Sequence, residues 1–230
     1  MYNQQPKKKD PLSLNVNPWS EPPKRPLRLD PELMEADKTY SKALAHYKSG
    51  NYDLALSYLL DLESIYKNHN SLNELSNVCY FIGNIYMLYL EYELALRFHT
   101  QAEQLRKKIY NLRGQSKSLN AIGSIYICQE DYESAEVYFH LAYKLQNAVS
   151  DPLVRGKTML NMGTIQHLHH RQYTKAITYY KQAYAYFRKK KGNQSQIGFI
   201  LYNMALVFQS MKKYDEAEKM YQKVMDIFQW

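Results

Sequence analysis

A chain of 230 residues with 30 lysines and arginines, 22 acids, a net charge of +8 and 45% hydrophobic content is long and apolar enough to bury a core. No apolar run reaches bilayer length, no apolar stretch follows Lys7, Lys8 and Lys9, and two cysteines cannot make a disulfide framework. Membrane, secretory-signal, collagen-like and disulfide-scaffold classes are therefore excluded, and the expected setting is cytoplasmic and reducing. Tyrosine is the anomaly, at 23 residues.

Proline divides the chain. Six of the eight fall within the first 26 residues, and after Pro31 only Pro152 remains. Because proline lacks an amide donor and clashes inside helices, residues 1–30 are expected to be a disordered Pro/Lys-rich tail, with residues 31–230 free to be helical. The tail carries a net +3, and its "PPKRP" at 22–26 has the composition of a polyproline II docking segment or a plain linker; Trp19 is its one anchor candidate. At Asp30-Pro31-Glu32 an acid that can cap, a proline at the first helical position and a second acid mark where the folded part begins.

From there the sequence repeats. Tyr-x-x-Ala occurs at Tyr52/Ala55, Tyr92/Ala95, Tyr132/Ala135, Tyr173/Ala176 and Tyr214/Ala217, at spacings of 40, 40, 41 and 41. A small residue (Ala43, Gly83, Gly123, Gly163, Ala205) precedes each alanine by 12 residues, except in the fourth copy, where the interval is 13. The extra residue falls near His170 and Arg171. Apolar spacing within each copy predicts two helices joined by a short polar turn, which gives five units at about 36–70, 71–112, 113–151, 152–192 and 193–230. Mid-helix glycine costs about 1 kcal/mol against alanine, so Gly83, Gly123 and Gly163 are expected where a neighbouring helix comes close, with the repeated alanine as the opposing surface. Ser71 with Glu74 reads as a capping box, Asp151-Pro152 as a helix start, and Gly114, Gly156 and Gly192 as permissive links.

These elements resemble the tetratricopeptide repeat family: the small residue of the first helix, the tyrosine after the turn, the alanine three later, and a further alanine at Ala102, Ala142 and Ala183. The 40-residue unit is similar to the long-helix type found in spindle-orientation adaptors and bacterial peptide-pheromone receptors. The resemblance covers about residues 36–230. It implies an all-α, right-handed α-solenoid of five helix-turn-helix TPR-like repeats, used for binding proteins rather than for one fixed function.

In such an array the first helices line up, and the faces opposite their core positions merge into a concave surface. Projected at 100° per residue, that face holds Tyr40, Leu44 and Tyr47 in the first unit, and Asn77, Tyr80, Asn84 and Met87 in the second. Lys117, Asn120, Ser124 and Ile127 follow, then Lys157, Leu160, Thr164 and His167, and finally Phe199, Tyr202, Leu206 and Gln209. Aromatic anchors, amides and two lysines in register suit a peptide or helical segment with acidic residues. The partner-binding set expected from this is Tyr40, Tyr47, Tyr80, Asn84, Lys117, Asn120, Lys157, Leu160, Thr164 and Tyr202. Tyr80 stands where the resemblance would require the first lysine of a terminal-carboxylate clamp, which disfavours that mode.

No phosphate loop, nucleophile elbow or metalloprotease motif occurs, so no catalysis and no cofactor are expected. His167-Leu168-His169-His170 has no further ligand near it in sequence and reads as a polar helix end, not a metal site. Cys79 and Cys128 read as buried or partly buried thiols. The basic run Arg188–Lys191 ends a helix, where cations meet the negative dipole end, so nucleic acid is not expected. The last pair presents Phe208, Met220, Tyr221, Val224 and Ile227 with little to cover them, which predicts a second protein contact or self-association there. The expectation is a non-catalytic adaptor; a structural subunit of a cytoskeletal or ciliary assembly and a peptide-sensing regulator are the alternatives.

Overall fold

The computed structural model describes residues 30–228 apart from 146, 147, 149, 150 and 190. The tail with Lys7–Lys9, Trp19 and "PPKRP", Lys190 of the basic run, and Trp230 lie outside the described residues. Within them the chain forms helices and no strand: α1 (Pro31–Lys48), α2 (Tyr52–Asn68), α3 (Leu72–Leu88), α4 (Tyr92–Lys108), α5 (Leu112–Cys128), α6 (Tyr132–Lys144), α7 (Pro152–Leu168), α8 (Tyr173–Phe187), α9 (Gln194–Ser210) and α10 (Tyr214–Phe228). None is long and apolar enough to cross a membrane.

Each helix packs on its neighbours in sequence, and the other contacts between helices join odd-numbered ones: α3 with α5, α5 with α7, α7 with α9. The odd helices therefore lie side by side, as in an α-solenoid whose units touch only their neighbours. The five repeat tyrosines each occupy the first position of an even helix. Asp30 caps α1 through Glu32 N at 2.9 Å, with Pro31 behind it, and Asp151 caps α7 through Leu153 N at 2.9 Å. Ser71 does not form the expected box: it flanks α3, but its side chain makes no cap bond.

The turns reveal a shorter period than the sequence motif. Positive φ occurs at Gly50, Asn70, Leu90, Tyr110 and Glu130, every twentieth residue, then at Arg171, Gly192 and Lys212. In eight of the nine links, within units and between them, the residue two places before the next helix goes left-handed; the longer α6–α7 link, 145–151, shows no such residue among those described. Gly192 fits its link as expected, but Gly114 and Gly156 lie inside α5 and α7. A Cβ on Gly114 would stand 2.8 Å from Arg106 Cδ, and one on Gly156 would stand 2.9 Å from Phe187 Cε2. They make room for side chains; they do not bend the backbone.

The mid-helix glycines do mark close approach, though not by the repeated alanine. A Cβ on Gly83 would fall 2.8 Å from His99 Cδ2, on Gly123 2.5 Å from Phe139 Cε1, and on Gly163 2.6 Å from Tyr180 Cε1. In each unit the ring sits one helical turn beyond the alanine, which makes space without providing the contact. In the first unit Ala43 replaces the glycine and Leu59 the ring, both fully buried. In the fifth unit Ala205 replaces the glycine but a ring, Tyr221, is kept.

At the far end α10 fully buries only Ala217, and Met225 and Phe228 remain 46% and 43% exposed.

Candidate functional site

The odd-helix face encloses a groove of about 580 Å³ running from Tyr80 and Met87 on α3, across α5 and α7, to Phe199 on α9. That size is ordinary for a ligand or peptide pocket. Six of the ten expected binding residues line it: Tyr80, Lys117, Asn120, Lys157, Leu160 and Thr164. The other four do not. Tyr40 and Tyr47 pack edge-on against Phe81, with ring centroids 6.4 and 5.2 Å away, and Asn84 lies close to the Tyr47 hydroxyl. Tyr202 leans on Tyr221 at 6.0 Å. Aromatic packing at the two ends of the array has taken these residues out of the groove.

Asn120 lines the wall but is committed within it. Its Nδ2 donates to Ser116 O and Thr158 Oγ1, both at 2.9 Å, and its Oδ1 accepts from Asn161 Nδ2 at 3.0 Å. With only 1% of its surface exposed, it ties α5 to α7 and fixes the register of the two lysines. Asn161, absent from the expected set, lines the groove beside it.

The charged lining consists of Arg113, Lys117 and Lys157 against Asp151, an excess of two positive charges (3 − 1). Arg113 pairs with Asp151, its Nε and Nη2 both directed at Oδ2. Lys117 and Lys157, forty residues apart on adjacent odd helices, have no ion-pair partner among the described residues. Burial pushes the Lys117 pKa down, and the nearby Arg113, Arg106 and Lys157 push the same way against the pull of Asp151. An anion entering the groove would relieve that repulsion. Arg113, one turn before Lys117, shares the projected face of α5 although the expected set omits it, and Asp151 is the cap of α7. Their first-turn and cap positions were the available signals.

Below the groove lies a buried cation. Arg106 on α4, 3% exposed, donates to Gly114 O at 3.1 Å, Ser118 Oγ at 2.8 Å and Asn77 Oδ1 at 3.1 Å, with its guanidinium 4.6 Å from the centre of the Tyr80 ring. Burial lowers its pKa. Tyr80 thus supports the array as well as lining the groove, and Asn77 serves Arg106 instead of facing a ligand. Its neighbour His99 is buried with Nδ1 unpartnered, and burial, helped by Lys157 and Arg106, drives its pKa down to about 3.

The thiols differ. Cys79 is buried, and desolvation raises its pKa to about 12, so it is inert. Cys128, the last residue of α5, is exposed at the groove edge, contrary to the expectation of a partly buried thiol.

A row of parallel helices around an apolar, positively charged groove defines a helical-repeat binding module. The tetratricopeptide repeat family profile matches residues 114–189 and 154–229, together half of the chain, and the chain belongs to that family. No curated protein sequence gives a significant match. Among solved structures, a Rap protein complexed with competence and sporulation factor is similar at 17% identity and a TM-score of 0.72, over 85% of this chain and 54% of that one. NprR in complex with its cognate peptide NprX is similar at 21% identity and a TM-score of 0.67, over 86% and 57% of the two chains. A Podospora anserina kinesin light chain with nearly identical TPR-like repeats matches at 14% identity and a TM-score of 0.63, over 84% and 94%. The chain spans little more than half the length of the Rap and NprR structures. At these identities the likeness establishes the fold.

Proposed function

We propose that this chain is a non-catalytic, cytoplasmic adaptor whose groove binds an acidic peptide or helical segment. The observation that carries the reading is the pairing of Lys117 and Lys157 on adjacent helices, without ion partners among the described residues, in a groove otherwise walled by Tyr80, Leu160, Phe187 and Phe199. Apolar side chains of the partner would fill the space between rings, and its carboxylates would meet the lysines. Two structurally similar proteins are described with a bound factor or peptide, which supports a peptide-binding role. A displayed peptide library selected on the full chain tests it. Selected sequences should be acidic and should bind the Lys117→Glu/Lys157→Glu protein at least tenfold more weakly, with helicity unchanged. Equal binding by the double variant rejects the groove.

A second contact at the last repeat, as in a structural subunit of a larger assembly, is favoured by the exposed Met225 and Phe228 on α10. Light scattering on the Phe228→Lys variant separates the readings, since only self-association through this face would be lost. A peptide-sensing regulator is the remaining form of the same groove function. Small-angle scattering with and without a selected peptide would show whether the array changes pitch.

A further inference from the structure

We propose that Glu136, His169 and His170 form a binding site for a divalent transition-metal ion of the zinc type, joining the third and fourth repeats on a surface separate from the groove. Glu136 lies on the second turn of α6, while His169 caps the end of α7 and His170 follows it. One donor atom from each of the three lies within 4.8 Å of the others. His170 Nε2 is 2.9 and 3.0 Å from the two carboxylate oxygens of Glu136, and the two imidazole ring centres are 4.6 Å apart. Ligands about 2.0–2.2 Å from a zinc ion stand roughly 3–4 Å from each other, so small side-chain rotations close the set. None of the three lines the groove.

The repeat itself singles out this place. In the second and third units three residues separate the end of the first helix from the tyrosine of the next: 89–91 and 129–131. In the fourth unit there are four, 169–172, and the turn is rearranged so that both His169 N and His170 N donate to Ile165 O, at 3.0 and 3.2 Å. The added residue brings two consecutive imidazoles over α6 of the preceding unit. A single ion pair to Glu136 would need only one of them.

Other groups complete the surroundings. His140, one turn along α6, holds its Nε2 3.5 Å from Glu136 Oε1, and Glu133 stands 3.8 Å from His169 Nε2. Either can serve as a fourth ligand or as an outer hydrogen-bond partner, with water filling any position left. Two imidazoles with a carboxylate suit zinc, nickel or copper and suit calcium or magnesium poorly.

The test is calorimetric titration of the untagged full chain with zinc chloride, with thermal melts in parallel. One zinc should bind per chain with micromolar or tighter affinity and raise the melting temperature. His170→Asn and Glu136→Gln should each weaken it at least tenfold, while Cys128→Ser leaves it unchanged. These side chains are outside the core, and circular dichroism checks that the variants fold. X-ray absorption on the zinc-loaded protein should show only nitrogen and oxygen ligands at about 2.0–2.2 Å. No saturable binding, wild-type affinity in both variants, or sulfur in the coordination shell overturns the site.

Discussion

The edge of the Phe139 ring occupies the space where a side chain on Gly123 would begin, with an ideal Cβ only 2.5 Å from Phe139 Cε1. Phe139 is 1% exposed and packed in a buried cluster with Ala135 and with Met162 and Ile165 of the next unit, which opposes displacement of the ring. Alanine would gain about 1 kcal/mol of helix propensity at Gly123, but overpacking costs about 1–3 kcal/mol. Gly123→Ala should therefore destabilise by about 1 kcal/mol in urea melts, and adding Phe139→Leu should recover part of the loss. A stabilised single variant would show that the ring yields.

Tyr110 pays for its turn in the opposite sense. It holds φ at 55° with 87% of its surface exposed, so its side chain contributes little while its Cβ opposes the left-handed backbone. Tyr110→Gly should raise stability by about 0.5–1 kcal/mol and Tyr110→Ala should not. Equal gains from both substitutions would place the effect in the phenol instead of the backbone.

His99 makes stability depend on pH. Unfolded, it takes a proton near 6.5; folded, only near 3. Between those values the unfolded chain binds more protons, so stability falls as pH is lowered, by at most about 1.4 kcal/mol per unit from this group. Carboxylates add to the same trend, which makes a paired comparison necessary. His99→Phe installs the ring that the third unit already uses opposite its glycine and removes the titration. The stability advantage of this variant over wild type should widen from pH 7 to pH 4. A constant difference would mean that His99 is protonated in the folded state.

The five-unit helical architecture was legible because it rests on steric rules that leave residues behind: tyrosine at the first position of each even helix, a small residue where a ring must fit, and proline only at Pro31 and Pro152. The middle of the groove was legible for the same reason, since Lys117, Lys157, Leu160 and Thr164 follow from a helical projection. What escaped were contacts between units. Nothing local reveals that Tyr40 and Tyr47 would be drawn onto Phe81, or that Asn120 would be spent on Thr158 and Asn161. The same holds for Glu136. It lies 34 residues from His170 and reaches it only because one repeat stacks on the next.

The shared turn at every twentieth residue has a consequence for how such a chain can grow. Where the backbone makes the same bend within a pair and between pairs, as it does from Gly50 to Glu130, it does not record which helices are partners; side chains assign the pairing. Length can then change by a single helix as readily as by two, with the new terminal helix presenting either face of the array. An odd-numbered descendant would exchange the type of surface at one end while leaving every interior turn as it was. The grammar of this chain is written in half-units.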